Sequence, residues 1–195
     1  MDLKQSETLQ NLMRAFSGET QAWARYTFAA EGVKAQGFPV LERLFHYTGE
    51  QEKEHAQLLW NALKGPGVTE IPAPGTYPVD LPTDALSLLR LAAEHEYREA
   101  EDVYPAFAVT AEREGFPELA LRFRQLSAIE KTHGDRFGRF ADMLEQGTLF
   151  RSDAPVSWIC LNCGHVFVET EPPASCPVCA HEQGYFLRWE LSPFQ

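Results

Sequence analysis

The tetrapeptides EKEH at residues 52–55 and EKTH at residues 130–133 each place a glutamate three residues before a histidine. A glutamate and a histidine at this spacing lie on the same face of an α-helix, one turn apart. The two tetrapeptides are 78 residues apart (130 − 52 = 78), which indicates that each belongs to one copy of an internal repeat. Two such helices that face each other can hold a pair of metal ions between them.

The same 78-residue offset relates other parts of the two copies. Tyr26 is repeated as Tyr104, and the tripeptide Gly-Phe-Pro occurs at residues 37–39 and again at residues 115–117. Each tripeptide separates two stretches whose apolar residues recur at helical spacing, and its proline suits the first turn of a new helix. Each copy is therefore predicted to be a helical hairpin with a tight turn.

The connection between the two copies indicates how the hairpins are arranged. Residues 65–82 contain five prolines, which exclude a helix there. Two hairpins joined by one long connection are the ferritin-like form of a four-helix bundle. Pro105 lies inside the third predicted helix, where it favours a kink. The predicted helices span about residues 3–36, 39–64, 84–114 (with Thr83 or Asp84 as the N-cap) and 117–146.

Each half also offers carboxylates on the helix that precedes its Glu-x-x-His helix. The first half offers Glu19, and the second offers Glu96 with Glu99 one turn later. One glutamate from each of two helices, with Glu-x-x-His from the other two, is the di-iron or di-manganese carboxylate pattern. Five buried carboxylates would be prohibitive without cations. The predicted bundle ligands are Glu19, Glu52, His55, Glu96, Glu99, Glu130 and His133.

A lone Glu-x-x-His pair is also common on solvated helix faces, so surface charge is the competing interpretation. Two pairs at matching places in a repeat, each with a glutamate one helix earlier, favour metal binding. His46 and His95 lack such a pattern and are predicted to lie on the surface or just outside the ligand set.

The repeat is out of register at one place. Glu19 lies seven residues before Tyr26 (26 − 19 = 7), whereas Glu96 lies eight before Tyr104 (104 − 96 = 8). A helix usually absorbs one extra residue as a π-bulge, so we predict a π-bulge between Glu96 and Tyr104. The first half has no anionic counterpart of Glu99, and the metal site is therefore predicted to be asymmetric.

All four cysteines form two C-x-x-C pairs separated by 12 residues, 164 to 175. In a cytosolic chain this clustering is typical of metal binding rather than of disulfides. The spacing fits a zinc ribbon as well as a four-cysteine iron site. The surrounding aromatic residues and the redox-capable bundle favour one iron ion at this site. Zinc would be bound there if the site were loaded with the wrong metal. The predicted ligands are Cys160, Cys163, Cys176 and Cys179.

Three parts of the chain are predicted. Residues 1–147 form the mostly α, ferritin-like bundle, and residues 148–155 form a linker. Residues 156–195 form a small all-β module. A bound metal is expected to stabilise it, because forty residues rarely fold without a metal ion or disulfides.

The net charge of −11 argues against nucleic acid or an anionic membrane as a partner. The first residues, MDLKQS, lack the pattern of a signal peptide, and no apolar run is long enough to span a membrane. A soluble cytoplasmic protein is the expectation.

With both sites defined, the chain resembles the rubrerythrins over essentially its whole length. The resemblance is carried by GETQAWARYTFAAEG (18–32), EQEKEHA (50–56), EHEYREAEDVYPAFA (94–108), IEKTH (129–133), WICLNCG (158–164) and CPVCAH (176–181). It implies a ferritin-like bundle followed by a rubredoxin-like domain. It also implies two iron ions at the seven bundle ligands and one iron ion at the four cysteines.

The resemblance implies a peroxidase that reduces hydrogen peroxide to water. Electrons would come from NAD(P)H through a separate reductase or a rubredoxin, and would pass from the four-cysteine iron to the di-iron site. It also implies a homodimer in which the rubredoxin-like domain of one chain approaches the bundle of the other.

The resemblance also assigns roles to individual ligands. Glu99 would leave one iron on reduction and His55 would take its place, while Glu52 and Glu130 would bridge the two irons. The repeat-related Tyr26 and Tyr104 would orient ligands through hydrogen bonds. Ordinary core tyrosines are the alternative for these two residues.

Other functions remain open from the sequence. A ferroxidase or iron-storage protein is the first alternative, although it would need neither a dedicated electron entry nor a ligand exchange. A zinc-ribbon interaction protein with a structural bundle site is the second. An oxygenase is a weaker third, because nothing in the sequence marks an organic substrate pocket.

Overall fold

Helices account for most of the structure, a computed structural model that describes residues 2–192. The predicted domain limits at residues 1 and 195 lie outside the described residues. The helices are α1 (Glu7–Ala35), α2 (Pro39–Lys64), α3 (Ala85–Arg98), the π-helix (Glu99–Val103), α4 (Tyr104–Glu114) and α5 (Pro117–Glu145). The π-helix joins α3 to α4, so these segments form a single long third helix of a four-helix bundle, as predicted.

The internal repeat is visible in the backbone of the two hairpin turns. Gly37 and Gly115 both have a φ of 86°, a left-handed conformation that glycine adopts without steric cost. The amides of Phe38 and Phe116 each donate to the carbonyl oxygen five residues earlier, at 3.1 and 2.8 Å. The two Gly-Phe-Pro motifs therefore build the same helix end and the same helix start.

The first helix begins later than predicted. Residues Leu3–Gln5 form a 3₁₀ turn, and α1 starts at Glu7 instead of residue 3. Ser6 is extended, with φ −96° and ψ 156°, and its Oγ accepts a hydrogen bond from the Leu9 amide at 3.1 Å. An N-cap of this kind satisfies an otherwise unpaired helical donor and fixes the start of the helix. Asp84 caps α3 in the same way, which decides between the two predicted N-caps.

Two apolar clusters fill the bundle, one on each side of a layer of buried carboxylates. In one cluster, the rings of Tyr26 and Phe137 lie 5.1 Å apart, and those of Phe45 and Phe137 lie 5.0 Å apart. In the other, the rings of Tyr104 and Phe123 lie 6.0 Å apart. These contacts bury large aromatic area and hold the polar layer between the clusters. Among the described residues, no helix combines the length and the apolar character needed to cross a bilayer.

The C-terminal region forms a three-stranded antiparallel sheet in the order β2-β1-β3. Its strands are β1 (Val156–Cys160), β2 (Val166–Glu169) and β3 (Phe186–Arg188). Leu187 belongs to an apolar cluster of the bundle, and Gly184 packs directly on the turn between α1 and α2. The small domain is therefore docked on the end of the bundle of its own chain.

The segment predicted as a linker contributes to this docking. Leu149 is buried within the bundle cluster, and the ring of Phe150 stacks on Phe38 at 6.5 Å. Arg188 Nη2 donates to the carbonyl oxygen of Thr148 at 3.1 Å. The start of residues 148–155 is thus packed against both parts of the chain, because its apolar residues gain from burial.

We expect Gly184→Ala to weaken the docking of the small domain. A Cβ atom at this position would collide with the Gly37 carbonyl oxygen, which is backbone and cannot rotate away. Proteolysis within residues 147–155 should become faster in this variant. Gly138→Ala is the control, since its Cβ would lie 3.7 Å from the nearest atom, an ordinary contact. Equal cleavage rates in both variants would show that this close approach does not hold the domain.

Candidate metal centres

Six of the seven predicted bundle ligands meet in the polar layer. Their ligand atoms form two groups, and within each group all atoms lie within 4.8 Å of one another. Glu52 and Glu130 belong to both groups, the position that a carboxylate bridging two metal ions must have. One group is Glu19, Glu52, His55 and Glu130, and the other is Glu52, Glu96, Glu130 and His133.

Each histidine points its Nδ1 atom at the carboxylates. His55 Nδ1 lies 3.2 Å from Glu52 Oε2 and 3.3 Å from Glu130 Oε1. His133 Nδ1 lies 2.7 Å from Glu52 Oε1 and 3.0 Å from Glu130 Oε2. The remaining glutamates are slightly farther, with 3.5 Å from His55 to Glu19 and 3.6 Å from His133 to Glu96. The spacing of three residues thus places the glutamate and the histidine of each pair side by side on one helix face, as predicted.

The donor atoms of this layer fit metal ions. Several are buried yet have no hydrogen-bond partner among the described residues, although imidazole and carboxylate atoms come close. Unpaired buried acceptors are costly, and converging lone pairs are satisfied by cations. Oxygen and imidazole donors suit iron or manganese. These unpaired atoms are Glu19 Oε2, Glu52 Oε1, Glu96 Oε2, both oxygens of Glu130 and both ring nitrogens of His133.

Tyr26 and Tyr104 hydrogen-bond to terminal glutamates across the repeat. The Tyr26 hydroxyl donates to Glu96, and the Tyr104 hydroxyl donates to Glu19. Each tyrosine therefore orients a ligand that comes from the other half of the chain. Hydrogen bonds of this kind are able to fix the geometry of a metal ligand, which is the role predicted for the two tyrosines.

The predicted π-bulge is confirmed, and it displaces Glu99 relative to the repeat. The π-helix covers Glu99–Val103, inside the interval that the register slip indicated. Glu99 belongs to neither ligand group, and its carboxylate lies beside Gly18 of α1. A Cβ atom at Gly18 would lie 3.8 Å from Glu99 Oε1. The site is asymmetric, because the first half offers no carboxylate at this place.

The two bundle histidines outside the ligand set, His46 and His95, differ in their exposure. His46 is exposed, whereas His95 is largely buried and contacts Asp80 at 3.0 Å. Asp80 also pairs with Arg25 at 3.1 Å. Sequence reasoning missed this contact, because Asp80 lies in the proline-rich connection, where no periodicity indicates which side chains turn inward.

Without a cation, protons would have to balance the charges of this layer. Burial, together with the charge of Glu52, raises the pKa of Glu96 to about 8. Burial disfavours the charged form of His133, but close contacts with Glu130 and Glu52 outweigh it and raise the pKa to about 11. The same balance raises the pKa of His55. A divalent cation would take the place of these protons.

We expect the metal-free protein to lose stability as the pH rises from about 5 to about 9. Glu96, His55 and His133 have raised pKa values, so they bind protons more tightly in the folded state than in the unfolded state. Their contribution to stability is complete below the unfolded pKa values and is lost as the pH rises toward the folded ones.

Denaturant titration of chelated protein at several pH values measures this trend. Iron-loaded protein is the comparison, and it should become more stable over the same range, because its ligands must lose protons before they bind metal. A metal-free protein whose unfolding free energy stays constant or rises with pH would contradict this account.

The four cysteines meet at one end of the small sheet. Their sulfur atoms lie within 4.8 Å of one another, and the Cys160–Cys179 and Cys163–Cys176 sulfur pairs are each 3.7 Å apart. The two knuckles have the same backbone pattern, in which the amide four residues on bonds to the first cysteine's carbonyl oxygen (2.8 and 2.9 Å). This is the arrangement that a tetrahedral four-thiolate site requires.

The electrostatics of the cysteines also favour a cation. A backbone N–H from His181 lowers the pKa of the Cys179 thiol to about 6. At Cys163 a backbone N–H from His165 favours the thiolate, but desolvation and the neighbouring sulfurs outweigh it and raise the pKa to about 12. Four thiolates can therefore form together only when a metal ion compensates their charge.

Fold and sites together define a class, namely a ferritin-like di-metal bundle that carries a rubredoxin-type domain. The rubrerythrin family model matches residues 10–141, and the model "Rubrerythrin, rubredoxin-like domain" matches residues 158–187. The chain belongs to the rubrerythrin family. Its bundle site is accordingly of the di-iron type and its cysteine site of the rubredoxin iron type, and the chain is an oxidoreductase.

Relatives and solved structures agree with this assignment. The chain is 42% identical to a rubrerythrin of Clostridium perfringens, over 94% of this chain and 95% of the relative. It is 37% identical to a rubrerythrin of Nitratidesulfovibrio vulgaris, over 94% of this chain and 95% of the relative. A structure of nigerythrin in a mixed-valence state matches with a TM-score of 0.61 and 28% identity, over 93% of this chain and 86% of that one.

Proposed function

We propose that this protein is a peroxidase that reduces hydrogen peroxide to water. Cleavage of the O–O bond consumes two electrons and two protons and yields two water molecules. The converging carboxylates and imidazoles would hold two iron ions, which would supply the two electrons. The observation that carries the proposal is the asymmetric ligand layer, in which a seventh group, Glu99, lies apart from the six that converge.

His55 and Glu99 have different places relative to the other ligands. His55 points into the layer, and Glu99 lies beside Gly18. The resemblance to the rubrerythrins implies that His55 binds iron and Glu99 lies apart in the reduced site. We propose that Glu99 moves to the metal and His55 withdraws when the site is oxidised. Meanwhile Tyr26 and Tyr104 hold the terminal glutamates in place.

A second proposal concerns electron supply. The four-cysteine site would accept electrons from a reductase that uses NAD(P)H, or from a rubredoxin, and would pass them to the bundle. The proposed location is the cytoplasm, because thiolate ligands require reduced cysteines. A homodimer is proposed as the assembly, with exposed aromatic side chains on α1 and α2, namely Trp23, Phe28 and Trp60, as supporting features.

We expect Glu99→Ala to slow peroxide turnover by about tenfold to a hundredfold while the bundle stays folded. Four carboxylates remain to hold metal, so iron content should be retained. Stopped-flow mixing of reduced protein with peroxide measures the effect. Glu101→Ala is the matched control, since Glu101 lies on the same π-helix but is exposed. Unchanged turnover in Glu99→Ala would remove this residue from the mechanism.

We expect Cys160→Ser to abolish reduction by a reductase and NAD(P)H. The bundle site, once reduced with dithionite, should still react with peroxide at nearly the rate of the unchanged protein, because none of its ligands is altered. Rapid-mixing spectroscopy of both reactions measures this separation. Loss of both reactions would mean that the cysteine domain only supports the structure of the bundle. Unimpaired reduction by the reductase would favour an iron-storage role with another route for electrons.

A further inference from the structure

The proline-rich connection, residues 65–82, is fastened along one face of α1. Arg14 and Arg25 on α1 contact it, and Gln36, directly after α1, contacts the residue that follows it. The three positions are spaced by 11 residues (25 − 14 = 36 − 25 = 11), which is about three helical turns. Arg14 Nε donates to the carbonyl oxygen of Pro74 at 3.0 Å. Gln36 Nε2 donates to the carbonyl oxygen of Thr83, just beyond the connection, at 2.7 Å. The connection therefore follows the length of α1 with an anchor near each end.

The middle anchor is an ion-paired cluster. Asp80 Oδ2 lies 3.1 Å from Arg25 Nη1 on α1, and Asp80 Oδ1 lies 3.0 Å from His95 Nε2 on α3. The three side chains are only 10–17% exposed. Removing one partner from a nearly buried cluster of this kind leaves an uncompensated charge, which is strongly destabilising locally. Asp80 thus ties the connection to both helices that precede the Glu-x-x-His helices.

Tyr77, which lies just before Asp80 in the connection, and the carboxylate of Glu99 both lie near Gly18. Gly18 lies on α1 between the first two anchors, and a Cβ atom there would be 3.8 Å from Glu99 Oε1 and 4.0 Å from Tyr77 Cε1. The Tyr77 hydroxyl donates to the carbonyl oxygen of Arg14 at 3.3 Å, which fixes the ring. Glu99 and the Tyr77 ring therefore both approach Gly18, which presents no side chain to them.

We propose that Asp80 is a positioning residue for Glu99. By tying the connection to Arg25 and His95, it holds Tyr77 over Gly18 and so shapes the compartment that receives the Glu99 carboxylate when it is away from the metal ligands. The movement of Glu99 into and out of this compartment rests on the proposed function, whereas the places of Gly18, Tyr77 and the Glu99 carboxylate are features of the structure. Gly18 also shapes this compartment, because a larger side chain at position 18 would occupy the space beside the Glu99 carboxylate.

Limited proteolysis of the iron-loaded protein tests the anchor. In Asp80→Asn, cleavage within residues 74–82 should become about tenfold faster, because local opening becomes easier when a tertiary contact is lost. Glu70→Gln is the matched control, since Glu70 is an exposed carboxylate of the same connection. Asp80→Glu, which keeps the charge, should restore part of the protection. Unchanged cleavage in Asp80→Asn would overturn the anchoring role.

Crystal structures of the reduced, iron-loaded Gly18 variants test the compartment. In Gly18→Ala the added Cβ has ordinary contact distances, so Glu99 should keep its place. In Gly18→Val a γ-methyl group reaches into the space, and Glu99 should be displaced. An unmoved Glu99 carboxylate in Gly18→Val would overturn the proposal.

Kinetics then separate positioning from simple structural support. In Asp80→Asn and Gly18→Val, kcat for peroxide should fall about tenfold while the KM for peroxide stays unchanged. Glu70→Gln should keep both constants. Unchanged kcat in the first pair would overturn the functional part of the inference. If the unaltered protein itself shows no peroxide turnover, the proposed function fails, and the proteolysis and crystallographic results still decide whether the anchor and the compartment exist.

Discussion

Repulsion among buried carboxylates is the constraint on which the rest of this structure depends. Glu19, Glu52, Glu96 and Glu130 lie in the middle of the bundle, where water cannot screen their charges. The desolvation of such groups costs several kcal/mol each in a real protein, and only cations or protons can compensate it. The aromatic clusters on both sides, and the two tyrosine hydroxyls, hold these groups together against that repulsion. A bundle built in this way is stable when metal is bound.

Duplication explains most of the site, and the place where it fails explains its asymmetry. Both halves have the same glycine turn, the same Glu-x-x-His helix and the same crossing tyrosine. The second half contains one extra residue, which the π-helix Glu99–Val103 absorbs. A π-turn rotates the side chains on one side of it relative to the α-helical repeat. As a result Glu99 lies beside α1 and outside the layer. A ligand that binds the metal in only one redox state needs such a place outside the layer.

Periodicity and spacing predicted the features that are local in sequence. The helices, the turns, the π-bulge and the clustering of six Glu and His residues and of the four cysteines follow from residue offsets that geometry converts directly into position. The contacts of Asp80 with Arg25 and His95 were not predictable, because an irregular connection has no period that tells inward from outward side chains. The docking of Gly184 on the α1–α2 turn and the burial of Leu149 depend on how two folded parts meet, which no local pattern encodes.

The proposed function requires a bundle site that reduces peroxide with electrons received from a separate four-cysteine iron site. The most direct measurement is an iron assay with a visible spectrum, followed by addition of peroxide to the reduced protein. About three irons per chain are expected, two in the bundle and one at the cysteines. The red colour of the oxidised four-cysteine iron should return rapidly when peroxide is added. A protein reconstituted with iron that shows no response to peroxide would contradict the account.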